Sequence, residues 1–542
     1  MFGGLTKTSS RIAIASALGM TLGGFVMSSH PAKAADLGGD CCADLEERVA
    51  ELEATTVRKG NKKVSVTLSG WVVKYGDWWD DGVETNFYMG DKHTTLSSHM
   101  QIAGSATFAP GWSGGYTISV ETRGGSTVGD ANQFNDDTSN FVNGGVPILS
   151  NISVLLSYMW IKSDRWGTLN WGQLSQATDN VALLPDLSGT IIESNAVFFD
   201  GAGFFLRPKG HGIPHNAQGL SSLAWGTFLT CLEQGGGIGA DCNGYPQNGV
   251  RYDSPTFWGF SVSGGFAEDD VWDAAIKYAA DWNWWGGLKF AAAFGFTNST
   301  DEGCVAPNST GVLGGNVNAG TPGCGGNRAN GASVILGGGG APFQDFRRDV
   351  DLFQVGASIM HVPTGLWAYG MYQREENNGT NVNVVNGGVA NGPFAFGNDA
   401  QDTDVWFVKA GIKRTWTPLG ATVLWGEGGQ YEDQFSSLAS VDLCAAAFHG
   451  TTPNATTPFG AGGVCFANQN VFLTDSTVNR WGAGVVQEID AAAMHVWFNW
   501  QHQELDADFV GNHFTGPINH FTKVNQSFDD LDLFMAGGVI FF

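Results

Sequence analysis

From Val64 onward the chain repeats one pattern, in which segments of about ten residues place an apolar residue at every second position. In one segment the apolar row is Leu288, Phe290, Ala292, Phe294 and Phe296, and the other row is Lys289, Ala291, Ala293, Gly295 and Thr297. Successive side chains of a β-strand point to opposite faces, so each segment has one apolar face and one face of small or polar residues. This length and pattern are typical of a tilted strand that crosses a bilayer.

Four further segments carry the same alternation. Their apolar rows are Tyr116, Ile118 and Val120; Ile152, Val154, Leu156, Tyr158 and Trp160; Trp406, Val408, Ala410 and Ile412; and Met494, Val496, Phe498 and Trp500. No later stretch resembles a membrane helix, because charges and glycine clusters interrupt nearly every window of about twenty residues. A chain that crosses a membrane on strands must close into a barrel, so that every backbone group is paired. The apolar rows are therefore expected to face lipid, and the other rows a lumen.

The connections between the segments fall into two alternating classes. Seven are short: 109–114, 163–167, 254–259, 281–287, 362–365, 417–420 and 489–493. The other eight are mostly long and rich in Gly, Asn, Asp and Thr: near 77–95, 124–149, 176–246, 267–270, 298–349, 376–403, 432–478 and 505–530. Seven turns and eight loops join sixteen strands. We therefore predict an all-β fold, a 16-stranded antiparallel transmembrane β-barrel with short periplasmic turns and long extracellular loops.

The last twelve residues, LDLFMAGGVIFF, agree with this prediction. Ile540 and Phe542 fall on the outward row, and aromatic residues are favoured at the lipid–water interface. The last strand is expected to pair with the first, because an open strand edge is unstable in a bilayer.

The composition excludes a nucleic-acid partner. Charged residues make up only 15% of the chain and the net charge is −25, whereas phosphate binding requires a basic face. The acidic excess lies mainly in the proposed loops, for example at Asp136-Asp137 and Asp529-Asp530. External loops of this kind either bind divalent cations near anionic lipopolysaccharide or are simply solvated. No other cofactor is predicted.

The first residues are expected to be an export signal. Lys7 and Arg11 give a positive start, residues 12–27 are apolar, and Ala32-Lys33-Ala34 has the form of a cleavage site. We predict cleavage after Ala34 or after Ala35. A transmembrane anchor is the alternative, although the apolar run is short for one.

The chain therefore divides into a signal peptide (1–34), a periplasmic helical stub with a linker (35–61) and the barrel (62–542). Within the stub, Leu45, Val49 and Leu52 fall on one face of a heptad pattern. This short N-terminal helical or coiled-coil stub is expected to be a periplasmic helix, a contact between subunits of a trimer, or a solvated amphipathic helix. The sequence leaves the three open.

The start of the mature chain, DLEERVAELEATT followed by RKGNKKVSVTLSGWV and WWDDG, resembles that of an alphaproteobacterial general porin. The resemblance continues through APGW and SQATDN and ends at the terminal Phe. It implies a trimeric barrel in the bacterial outer membrane, in contact with lipid and lipopolysaccharide, that lets small hydrophilic solutes and ions diffuse passively. It also implies that the third long loop folds into the lumen as a constriction.

The loop at 176–246 follows the fifth strand, which is the position of that constriction loop. Its charged residues are Asp179, Asp186, Glu193, Asp200, Arg207 and Lys209. Bases that parity places on the inward rows are Arg123, Arg251, Lys277, Lys289, Arg374, Lys409, Lys413 and Arg480. Charges that face each other across a narrow opening set ion selectivity. We predict that some of these residues line the aperture, the alternative being charges solvated inside a wide barrel.

Six cysteines fall two by two into three proposed loops: Cys231 and Cys242, Cys304 and Cys324, Cys444 and Cys465. Exported chains meet an oxidising compartment, so pairing within each loop is the simplest arrangement among the fifteen that six cysteines permit. Metal binding is disfavoured because no CxxC spacing or Cys/His cluster occurs. The adjacent Cys41 and Cys42 either cross-link subunits near the stub or remain reduced.

We predict no enzyme activity and no catalytic residues. The sequence has no HExxH motif and no phosphate-binding loop, and His495 and His502 are interpreted as lumen or rim residues. Alternatives to the passive pore are a substrate-selective outer-membrane channel, a non-conducting barrel used for adhesion or structure, and a barrel enzyme such as a lipase.

Overall fold

The computed structural model of the chain describes residues 64–92, 96–123, 132–133, 141–142, 146–147, 151–197, 200–209, 219–221, 223–229, 242, 246–268, 270–283, 286–304, 343–344, 346–378, 383–384, 402–433, 469–515 and 518–542. The predicted signal peptide and helical stub lie outside these residues. Among the described residues, no helix is long and apolar enough to cross a membrane.

Sixteen long strands form one closed ring of antiparallel neighbours. In chain order they are β1 (Ser65–Asp80), β2 (His99–Ala109), β3 (Trp112–Arg123), β4 (Asn151–Ser163), β5 (Gly167–Leu174), β6 (Gln247–Asp253), β7 (Phe260–Ala267), β8 (Val271–Trp282), β9 (Leu288–Cys304), β10 (Phe346–His361), β11 (Leu366–Asn377), β12 (Thr403–Thr417), β13 (Gly420–Glu432), β14 (Gln469–Ile489), β15 (Met494–Thr515) and β16 (Leu531–Phe541). Each strand pairs with the next along the chain. β16 then pairs with β1, from Trp71 opposite Phe541 to Asp80 opposite Asp532, which closes the barrel. The predicted fold is confirmed.

Smaller elements lie at the ends of the ring. Thr85–Gly90 pairs with the end of β1, and Ile518–Val524 pairs with the end of β15. The remaining elements are the two-residue strands Phe141–Val142, Val146–Pro147, Pro208–Lys209, Phe343–Gln344, Asn383–Val384 and Ser527–Phe528, and the 3₁₀ helices Trp225–Leu229 and Asp490–Ala492.

All seven predicted short turns connect strand ends as expected. Three long loops are shorter than predicted, because β9 continues to Cys304, β14 already begins at Gln469 and β15 continues to Thr515. In the extension of β15 the rows are reversed: Glu504, Asp506 and Asp508 lie on the outward row, whereas Leu505, Ala507 and Phe509 are buried inside. Since the outward row does not face lipid there, it carries acidic residues, and the apolar outward row that marks a membrane strand is lost.

Side chains on the outer surface of the barrel are apolar and exposed, whereas those on the inner surface are largely buried. Phe498 and Ile540 are each 49% exposed, whereas their inward neighbours Trp497 and Phe541 are 3% and 4% exposed. A continuous exposed apolar surface of this kind is unfavourable in water and is expected where the surroundings are lipid. The apolar core of the chain therefore lies inside the ring, not between two layers.

One predicted row is wrong. Ile152 and Val154 point outward, but Leu156 and Tyr158 are buried on the inner face. The pairing of β3 with β4 shifts by one residue at this point, which is a β-bulge. An extra residue in one strand exchanges the two faces beyond it, so a run that looks like one row is divided between outside and inside.

Candidate functional site: the internal loop between β5 and β6

The chain that follows β5 runs inside the barrel along its wall. Residues 175–197 and 200–209 are called here the internal loop. Its polar contacts follow the wall strands in order: Thr178 with Asp273 on β8 and Thr297 on β9, Leu187 with Ser358 on β10, Ala182 with Tyr369 on β11, Asp186 with Lys409 on β12, Ser194 with Glu427 on β13, Asn195 with Arg480 on β14, Glu193 with His495 on β15, and Asp200 with Tyr75 on β1. The loop is therefore bound to the inner wall over more than half of the ring.

Two glycines of the wall allow the loop backbone to approach closely. A Cβ atom on Gly356 of β10 would stand 1.9 Å from the carbonyl oxygen of Ala182, and one on Gly295 of β9 would stand 2.7 Å from a methyl group of Val181. Glycine is the residue that permits such contact between two backbones. The tyrosine hydroxyl of Tyr369 then donates a hydrogen bond to the same Ala182 oxygen at 2.8 Å.

Apolar side chains of the loop fill the remaining space. Val197, Phe204 and Leu206 are buried in one cluster with inward-facing wall residues, including Trp79 and Tyr431. The rings of Phe204 and Trp79 lie 4.9 Å apart. Burial of each such side chain stabilises the packed loop by about 1.5–3 kcal/mol. This explains why the first part of the loop is less polar than the external loops.

Lys409 and Lys413 of β12 lie under the loop and bind it directly. Lys409 Nζ contacts Asp186 Oδ2 at 3.3 Å and donates to the carbonyl oxygen of Ser194 at 2.8 Å. Lys413 Nζ donates to the carbonyl oxygen of Ser188 at 3.0 Å and is paired with Glu488. Each ammonium group therefore pairs with one carboxylate and donates a hydrogen bond to a carbonyl oxygen of the loop.

Arg480 of β14 acts in the same way at the middle of the loop. Its guanidinium donates to the carbonyl oxygens of Asn195 and Val197, and it pairs with Glu427 of β13 at 3.2 Å. Glu427 in turn accepts a hydrogen bond from the hydroxyl of Ser194. The arginine thus satisfies carbonyl groups of the loop that would otherwise be buried without a donor.

Two loop acids bind partners that the sequence analysis did not assign to them. Glu193 accepts from His495 Nδ1 at 2.7 Å, and both side chains are almost completely buried. Asp200 pairs with Lys92 at 2.9 Å and accepts a hydrogen bond from the hydroxyl of Tyr75. Lys92 belongs to the first external loop, so no periodic signal connects it with Asp200.

The far end of the internal loop is held by two basic residues. Arg207 Nε lies 2.6 Å from Asp81 Oδ2, and its Nη2 lies 2.8 Å from Glu84. Lys209 pairs with Asp529 at 3.0 Å, and this pair is partly exposed. The internal loop therefore also contacts the first and the last external loops.

Asp179 begins the loop in a cluster with Arg251 of β6, Lys277 and Asp273 of β8. Burial raises the pKa of the Asp179 carboxyl group to about 7, although a hydrogen bond from Ser175 and the charges of Arg251 and Lys277 oppose the rise. Asp273 adds to the rise by repulsion. The charge of Asp179 is therefore expected to change near neutral pH.

We expect Asp179→Asn to stabilise the protein at pH 8 and to leave its stability unchanged near pH 4. A carboxyl group with a raised pKa binds a proton more tightly in the folded state, so its contribution is lost as the pH rises through about 7. The difference from wild type should reach at most about 4 kcal/mol. Urea unfolding of the refolded protein in lipid vesicles at both pH values measures it; an equal effect at the two pH values would contradict the assignment.

The other predicted bases are distributed differently. Arg374 does not lie on the inward row: the odd-numbered residues of β11 point inward, and Arg374 shares the outward row with Leu366. It pairs there with Glu376, Asp402 and Asp404 near the end of the strand. Charge is tolerated on the outward row at this end, because the strand has left the lipid. The prediction counted alternate residues only and did not consider where the strand leaves the lipid.

Lys289 and Arg123 take no part in the described loop contacts. Lys289 lies on the inward row of β9 and forms a long, exposed pair of 3.9 Å with Asp281. The side chain of Arg123 lies outside the described residues. That any of the predicted bases and acids line an aperture stays a prediction.

Of the six loop cysteines, one side chain is described. Cys242 is buried and disulfide-bonded, and its Sγ accepts a hydrogen bond from Gln373 Nε2 at 2.8 Å. The side chains of Cys231, Cys304, Cys324, Cys444 and Cys465 lie outside the described residues, so the three pairings remain predictions. Cys41 and Cys42 lie outside them as well.

Comparisons with known proteins give only distant likenesses. No protein-family model and no curated protein sequence matches the chain. The barrel is similar to OmpT, an outer membrane protein of Vibrio cholerae, at 11% identity and a TM-score of 0.41 over 90% of this chain and 99% of that chain. It is similar to the outer membrane channel DcaP of Acinetobacter baumannii at 10% identity and a TM-score of 0.42, covering 89% and 99%.

A third likeness is to OmpF of Salmonella typhi in complex with daunomycin, at 13% identity and a TM-score of 0.40, covering 90% of this chain and 100% of that chain. Likenesses this distant support no conclusion about solute, activity or assembly. The fold itself is established by the strand pairing described above.

Proposed function

We propose that the chain is an outer-membrane porin, a water-filled pore through which small hydrophilic solutes and ions diffuse passively. The observation that carries the proposal is the internal loop, which is fixed to the inner wall by buried ion pairs at Lys409 and Lys92. Closing a barrel does not require an internal loop. A loop held rigidly inside the ring narrows the lumen, and an aperture of fixed width and charge is what sets selectivity in a pore.

The outward apolar surface supports a location in the outer membrane, where closed barrels are inserted, with lipid and lipopolysaccharide as neighbours. The resemblance of the N-terminal sequence to alphaproteobacterial general porins supports a homotrimer. The proposal includes neither an enzymatic step nor a required cofactor. It also includes removal of residues 1–34 on export.

Single-channel recording of the refolded mature protein in a planar bilayer tests this function. We expect stepwise insertion in groups of three and a weak ion preference, whose sign is given by the reversal potential in a salt gradient. Strong preference for one solute would favour the substrate-selective alternative. A folded, heat-modifiable barrel that never conducts would overturn the pore and favour adhesion or structure.

A further inference from the structure

A group of polar side chains lies on the outer surface of the barrel, at the seam where β15 meets β16. His502 and Glu504 are two residues apart on β15 and therefore share its outward face. Asp532 of β16 is the direct partner of His502 across the strands. Asp530 precedes β16 and continues the same row, so that it comes opposite Glu504. The register thus brings one imidazole and three carboxylates to a single patch.

The ligand atoms of three of these residues converge. One ligand atom each from His502, Glu504 and Asp530 lie within 4.8 Å of one another. His502 Nε2 is 3.5 Å from Glu504 Oε1. Two ligands on a tetrahedral zinc ion, each bound at about 2.0–2.1 Å, are separated by roughly 3.4 Å. The distance between His502 Nε2 and Glu504 Oε1 is therefore close to one edge of a tetrahedral metal site.

The orientation of the His502 imidazole is fixed by residues other than Glu504 and Asp530. His502 Nδ1 lies 2.8 Å from Asp532 Oδ1, and the same carboxylate accepts a hydrogen bond from Trp500 Nε1 at 2.8 Å. The ring of Trp481 packs against that of His502, with centroids 4.7 Å apart. A carboxylate on one ring nitrogen leaves the other nitrogen available as a ligand, and this pairing accompanies most metal-binding histidines.

The three carboxylates of the patch also favour the binding of a cation. Among the described residues, no Lys or Arg forms an ion pair with Glu504, Asp530 or Asp532. Two basic residues near the patch already have partners: Lys523 pairs with Asp508, and Lys209 pairs with Asp529, the residue before Asp530. A mixed nitrogen and carboxylate ligand set favours zinc and similar transition metals over calcium or magnesium, which prefer oxygen alone.

We propose that His502, Glu504 and Asp530 bind a divalent transition-metal ion of the zinc class, with Asp532 positioning the imidazole. The ion joins the end of the last external loop, at Asp530, to the outer wall of β15. The aromatic residues Trp481, Trp500 and Phe534 lie beside or below the site on the outward face, which places it at the level of the lipid head groups. The site is separate from the lumen and from the internal loop.

Zinc titration of the full mature protein, refolded in detergent and stripped of metal, tests the proposal. We expect calorimetry to show one saturable zinc site per chain. When cobalt replaces zinc, we expect the visible absorption of tetrahedral Co²⁺. His502→Ala and Glu504→Gln should each remove this site. Asp532→Asn should weaken it by about 10–100-fold, because the carboxylate only orients the ligand.

His361→Ala is the matched control, since this histidine contacts Thr364 at a turn on the opposite end of the barrel. It should leave the site unchanged. Heat-modified migration on gels verifies that each variant is folded, and Asp530→Asn provides a third ligand variant outside the strands. Zinc binding that is the same in wild type, His502→Ala and Asp530→Asn, or absent in wild type, would overturn the proposal.

Discussion

Gly356→Ala is expected to displace the internal loop from the barrel wall and to change the single-channel conductance. The added methyl group would stand 1.9 Å from the Ala182 carbonyl oxygen and 2.7 Å from its carbon, which are backbone atoms and cannot rotate away. The loop must therefore move, and the hydrogen bond from Tyr369 to that oxygen must lengthen. Forcing extra volume into a packed contact of this kind costs about 1–3 kcal/mol.

Gly370→Ala is the matched control for this prediction. Gly370 lies on the next strand, where the nearest heavy atom to an added Cβ is a methyl group of Val408 at 3.7 Å, an ordinary contact. The same chemical change should therefore leave conductance and stability nearly unchanged. Conductance histograms and urea unfolding of both variants provide the comparison. If Gly356→Ala behaved like Gly370→Ala in both measurements, the loop would not be held against this wall.

The ring of strands could be predicted because its cause is local. Residues two apart share a face, so the rows around Phe294 and Phe498 identify lipid-facing strands without any knowledge of their partners. The assignment of rows to the two faces was wrong where a bulge interrupts the alternation, or where the strand is no longer in contact with lipid. The bulge near Leu155 exchanges the two faces of β4, and the outer end of β11 carries Arg374 outward because lipid no longer selects against charge there.

The contacts of the internal loop could be predicted only in part. Its position after the fifth strand and its low polarity indicated a packed segment, and Lys409, Lys413 and Arg480 were correctly placed on inward rows. Their partners depend on the path of the loop in space, which has no period. Asp200 meets Lys92 across more than a hundred residues of chain, and Arg207 meets Asp81 in the same way.

The contacts of Lys409 and Arg480 with the internal loop change the role expected for these residues in the pore. The sequence suggested acids on the loop and bases across an opening from them, but Lys409 and Arg480 lie beneath the loop and are in contact with it. Charges that compensate each other at contact distance contribute little field at a distance. In the proposed pore, these residues are therefore expected to act mainly by fixing the position of the loop.

Lys409→Met is expected to destabilise the protein by about 3–5 kcal/mol, because it leaves a buried carboxylate without its counter-ion. The lysine side chain is 0% exposed and that of Asp186 is 2% exposed. The ammonium group also donates to the carbonyl oxygens of Thr190 and Ser194, which would lose their donor. Methionine has a similar length, so the loss of charge and of donors, and not a cavity, dominates the effect.

Urea unfolding of Lys409→Met, Asp186→Asn and the double variant in lipid vesicles measures the coupling. The double variant should be less destabilised than the sum of the two single variants by about 0.5–3 kcal/mol, because the second substitution removes the unpaired charge that the first creates. Lys289→Met is the control: its pair with Asp281 is exposed at 3.9 Å and should contribute less than about 1 kcal/mol. A Lys409→Met variant no less stable than Lys289→Met would mean that the loop is held by its apolar contacts alone.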